Sequence, residues 1–164
     1  MIQKSLAWLN KAAHKWILLE DDPAKITRSL VLGVFIGMTV PIGFQAMLCV
    51  PVAIAASSNV AIMIAATLVS NPLTVLPIYY TAMLVGEFFT GSSIPWQMIV
   101  DGINDMSVKR WMSLGSDVFT VLGTGVLIQA IVLSALTYVI VKPLLDGYFR
   151  RKAGSEGREL TNGK

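Results

Sequence analysis

Apolar residues run almost unbroken from Ile26 to Phe89, and the polar positions inside that run are few and clustered. No Asp, Glu, Lys or Arg falls between Arg28 and Glu87. A bilayer core of about 30 Å takes roughly 20 apolar helical residues, so the run is long enough for more than one crossing. An ordinary soluble helix shows a polar face to water, and this stretch has none to show. The pattern predicts an all-α polytopic membrane helix bundle.

Prolines divide the run into two broken segments. The first, residues 26–58, is interrupted at Pro41-Ile42-Gly43, with Gln45 just beyond. The second, residues 60–89, is interrupted at Asn71-Pro72, and Pro77 extends the irregularity. Proline removes a backbone donor and disturbs the carbonyl four residues earlier, and it pushes the residue before it toward extended geometry. In lipid, the freed backbone groups need partners inside the protein or in a wet cavity. Gln45, Ser70, Asn71 and Thr74 are the neutral polar groups at hand. Both segments follow one plan, apolar helix, proline break with an amide nearby, apolar helix. That layout is similar to transporters built from paired broken helices. The spacing Gly33-x-x-x-Gly37 permits close helix approach, and Ser57-Ser58-Asn59 reads as a turn or helix cap.

The flanks are simpler. Ile2, Leu6, Leu9, Ala13, Trp16 and Ile17 share one helical face, with Lys4, Lys11 and Lys15 largely elsewhere, as expected of an N-terminal amphipathic helix lying in the interface. Asp22-Pro23 reads as an N-cap followed by proline at the first helical position. A further helix is expected over about 95–108. Residues 118–141 carry no charge and predict one continuous transmembrane helix, ended by Lys142 and Pro143, with Gly123, Gly125 and Gln129 as its packing face. The organisation is then an interfacial helix at 1–22, a membrane domain at 23–145 and a polar, basic tail at 146–164, expected to be disordered.

Composition agrees. Of 164 residues, 54% are hydrophobic and 14% charged, against roughly 25% charged in soluble domains. The net charge is +3, but the basic residues gather at the two ends, which points to topology and lipid contact and not to nucleic acid. One Cys and one His leave no disulfide framework and little for a metal site, and no metal or cofactor is expected. His14 sits on the interfacial helix, where solvation explains it. Asp101 and Asp105 are four apart and read as a solvated helix face. With no nucleophile and base in view, catalysis is not expected.

The series Asp22-Pro23, Gly33-Val34-Phe35-Ile36-Gly37, Pro41, Gly43, Gln45, Asn59, Ser70-Asn71-Pro72-Leu73-Thr74, Pro77, Tyr79 and Gly86 resembles the bacterial membrane family catalogued as domain of unknown function 2062. The resemblance covers roughly residues 23–145. It implies an integral inner-membrane protein. Some members are joined to glycosyltransferase-like domains, which implies envelope or lipid-linked chemistry.

Two functional readings stay open. In the first, the protein is a transporter or translocase of a lipid, a polyprenyl phosphate or a small polar solute. Gln45, Ser70, Asn71, Thr74 and Tyr79 would then form a neutral ligand site at the breaks, with Lys25 and Arg28 meeting headgroups at its mouth. In the second, those amides only close the broken ends, and the protein is a non-catalytic scaffold or accessory subunit. Expected partners are membrane lipids, a second copy of the chain and an envelope-pathway protein. Lys and Arg counts place both termini in the cytoplasm. One broken segment then spans and the other re-enters; the competing course, with both spanning, puts the C-terminus outside.

Overall fold

The computed structural model describes residues 22–104, 107, 109 and 115–162, with side chains described as far as Gly154. The expected interfacial helix at 1–22, with His14, lies outside these residues but for its last position, as does Asp105. Among the described residues the protein is helical throughout, with no strand: α1 (Pro23–Thr39), α2 (Gln45–Ala55), α3 (Val60–Thr67), α4 (Val75–Thr90), α5 (Trp96–Asn104) and α6 (Ser116–Asn162).

Local chemistry accounts for most boundaries. Asp22 caps α1, its carboxylate accepting from the Ala24 amide at 2.9 Å, with Pro23 in the first turn. Val40, which precedes Pro41, is extended at φ −107° and ψ 131°, and α1 stops there. Asn59 caps α3 through bonds from the Ala61 and Ile62 amides. Gly91, left-handed at φ 70°, closes α4.

Two prolines do not act as expected. Pro77 is not a break, because α4 begins at Val75. In the first turn of a helix the backbone donors lack intrahelical partners, so a missing one costs little. Pro143 does not end the last helix. α6 continues through it to Asn162.

Contacts between elements set the directions. Arg28, near the start of α1, reaches the turn after α2, while Gln45, at the start of α2, reaches the end of α1. The two helices are therefore an antiparallel hairpin. α1 and α3 are parallel: a Cβ on Gly33 would collide with the Met63 carbonyl and Ala66, and one on Gly37 would lie 2.9 Å from Thr67 Cα. The Gly33–Gly37 pair is thus spent on contact within the chain. α4 and α6 are antiparallel, with Gly86 against the Val121 carbonyl and Gly125 against the Ala82 carbonyl. Gly125 and Gln129 face α4 as expected, whereas Gly123 meets open space.

The core has two parts. Ile36, Cys49, Ala53 and Met63 join α1, α2 and α3. Ala82, Met83, Ile94, Ile99, Val118, Val121 and Leu122 join α4, α5 and α6. α6 also packs along α1, so it bridges the two. α6 is long and apolar enough to cross a membrane over Ser116–Gly154. The halves of the two broken segments are each shorter than the roughly 20 residues of a straight crossing.

Candidate functional site: the paired helix breaks

The α1–α2 break is closed from a distance. Its turn is tied by the Phe44 amide donating to the Pro41 carbonyl at 3.2 Å. Gly43 takes φ 104°, a conformation that glycine adopts without a Cβ penalty. Gln45 then turns its amide inward. Its Nε2 lies 3.1 Å from the Gly37 carbonyl, 2.9 Å from the Val40 carbonyl and 2.8 Å from Ser70 Oγ. These are carbonyls that the end of α1 leaves open. Ser70 in turn donates to the Gly37 carbonyl. Gln45 and Ser70 are 7% and 6% exposed, so this is a buried bridge from one break to the other.

The α3–α4 break is closed locally. The Asn71 side-chain oxygen accepts from the Leu73 and Thr74 amides at 2.9 and 3.2 Å, and its Nδ2 donates to the Leu68 carbonyl at 3.1 Å. The Thr74 hydroxyl accepts from the Asn71 amide at 2.9 Å and donates to the Val69 carbonyl at 2.8 Å. This is a doubled Asx-type turn. It uses short polar side chains where Pro72 has removed a donor.

Of the residues expected at a ligand site, four therefore meet at the breaks: Gln45 and Ser70 directly, Asn71 and Thr74 in the adjoining turn. Tyr79 packs instead against the α4–α6 core. α2 has no side-chain cap at its N-terminus, whereas Asn71 takes the amides that lead into α4, so one helix start with partial positive charge follows directly on a break.

Lys25 and Arg28 stand at the other end of the hairpin. The exposed Arg28 guanidinium donates to the Ser57 carbonyl at 2.6 Å and to Ser58 Oγ at 3.2 Å. Ser57 is left-handed at φ 48°, in a turn closed by the Ser58 amide donating to the Ala53 carbonyl. Arg28 thus ties down the C-terminus of α2, where a cation is favoured. Ser29, fully buried, accepts from the Asn59 amide at 2.7 Å and joins the starts of α1 and α3. Sequence reading missed Ser29, because a serine thirty residues from its partner carries no local sign of it. Ala82 and Gly86 were not read as a packing pair, although small residues four apart are a legible close-packing signal.

The family model described as "Uncharacterized protein conserved in bacteria (DUF2062)" matches residues 6–154. The chain belongs to this family. The match takes in both breaks and their bridge, and extends on either side of the region where the resemblance is plainest. Neither a curated protein nor a solved structure matches the chain.

Proposed function

We propose that this is an integral inner-membrane protein acting as a non-catalytic helical scaffold or accessory subunit. One observation carries the membrane part. Leu73, Phe88, Met47 and Ile54 are 86%, 81%, 76% and 74% exposed, while Thr27, Ser29, Gln45, Thr67, Ser70 and Ser134 are the buried polar side chains among the described residues. An apolar exterior over a core that also buries several polar side chains fits lipid as the surrounding medium, since soluble monomers rarely expose large contiguous apolar patches.

Helix lengths support a re-entrant course. Arg28, Ser57 and Ser58 form one polar level. From Arg28 to Thr39 the α1 axis rises about 16 Å, roughly half of a 30 Å hydrocarbon core. With the polar level at the interface, the α1–α2 hairpin turns back near the bilayer middle. α3 and α4 hold about 36 Å of helix between them, enough for one crossing, and α6 returns. Both termini then lie in the cytoplasm, as the basic ends favour.

The scaffold reading is supported by how the break residues are used. The Gln45 and Asn71 amides and the Ser70 and Thr74 hydroxyls are all engaged in closing the chain on itself. A second reading, translocation of a lipid, polyprenyl phosphate or small polar solute, is favoured by the start of α2, which has no side-chain cap and stands at the joined breaks. Reconstitution into liposomes with fluorescent phospholipid separates the readings. The scaffold leaves scrambling at the protein-free rate. Scrambling above that rate, abolished by Asn71→Leu, would establish the translocase in its place. A reporter fused after Lys152 that signals from the periplasm would overturn the re-entrant course.

A further inference from the structure

The charge-free part of α6 ends at Lys142, and the helix does not. Residues 118–141 run about 36 Å, enough to cross the hydrocarbon core. Lys142 therefore stands where the span meets the headgroups. Its ammonium donates to the Tyr138 hydroxyl at 3.0 Å and lies 5.3 Å from the centre of that ring. Such an aromatic and cation pair is suited to the membrane interface, with the apolar parts inward and the polar tips outward. One to two turns beyond, Tyr148 and Phe149 meet edge to face, and Arg150, Arg151 and Lys152 follow.

The arrangement of these charges is informative. Consecutive helical residues point about 100° apart. Arg150, Arg151 and Lys152, with Lys142 two to three turns earlier, thus encircle the helix and do not line one face. A helix lying flat on a membrane gathers its basic residues on one side. A ring fits a helix standing upright through the headgroup layer. Lys142, Arg150 and Arg151 are exposed, and Asp146 is the single acidic residue from Lys142 to Lys152.

We infer that Lys142, Arg150, Arg151 and Lys152 form a collar on α6 that binds the phosphates of anionic phospholipids, with Tyr138 set where the span meets the headgroups. This rests on the membrane reading above. Four basic residues directly beyond an apolar span attract anionic lipid, and salt screens the attraction.

The full-length protein in nanodiscs, with spin-labelled phosphatidylglycerol or phosphatidylcholine, tests the collar by the fraction of lipid held motionally restricted. The expected result is a phosphatidylglycerol preference of roughly fivefold. It should fall toward one at about 1 M salt and be lost in Lys142→Gln/Arg150→Gln/Arg151→Gln/Lys152→Gln. An Arg150→Lys/Arg151→Lys variant, which preserves the charge, should keep it. Equal restriction of the two lipids by the wild type overturns the collar and leaves the membrane reading intact. So does a preference that survives the fourfold variant or disappears in the charge-preserving one. A protein that restricts neither lipid overturns the membrane reading, and the collar with it.

Discussion

The two breaks do the same job by opposite means. At the α3–α4 break, the bonds by which Asn71 and Thr74 close the turn lie within residues 68–74. At the α1–α2 break, the decisive side chain, Gln45, also reaches Ser70, twenty-five residues away. One break is closed by the segment that makes it; the other is completed only when α3 lies beside α1. Such dependence in a low-dielectric interior makes Gln45 the more consequential residue, since an unpartnered buried polar group costs more there.

The largest expected effect is at Gln45. Gln45→Leu removes the donor from the Gly37 and Val40 carbonyls and from Ser70, and should cost about 3 kcal/mol, measured by denaturant titration of helicity in detergent micelles. A loss no greater than that at Asn71 would break the comparison. Gly37→Val pushes α1 away from Thr67 and should cost about 2–3 kcal/mol. It should also uncouple the breaks, so that in this background Gln45→Leu costs clearly less than in the wild type, as a double-mutant cycle can show.

Asn71→Leu should cost about 2 kcal/mol, with its effect confined to residues 68–74 in amide exchange. Protection lost equally around Pro41 would mean that the second break is not autonomous. Gly43→Ala should cost about 1–2 kcal/mol for the left-handed backbone. Leu73→Ala, at the matching place in the other turn, should cost less than 0.5 kcal/mol, because Leu73 is 86% exposed and is not among the positive-φ residues. The one stabilising change is at the foot of the hairpin. Ser57→Gly relieves the φ 48° backbone and should stabilise by about 0.5–1 kcal/mol.

Sequence alone placed both breaks, the caps at Asp22 and Asn59 and the apolar run, because each depends on residues within about four positions. Pro41 displaces Val40, Asn59 reaches the next two amides, and Asn71 with Thr74 closes its own turn. It also named Gln45 and Ser70, by residue type and by nearness to a break. It could not pair them, since a bond across twenty-five residues leaves no mark in local spacing.

The tertiary structure decided that pairing. Gly33 and Gly37 let α3 approach until Ser70 comes within reach of both the Gly37 carbonyl and Gln45. The same approach brings Ser29 to Asn59, and the return of α2 brings Ser57 to Arg28. The roles of Pro77 and Pro143 were also settled by the folded chain. Pro77 falls inside a first turn already short of partners, and α6 carries its helix through Pro143. A proline forbids one donor and one close contact; whether that ends a helix depends on which bonds the folded chain had already given up at that point.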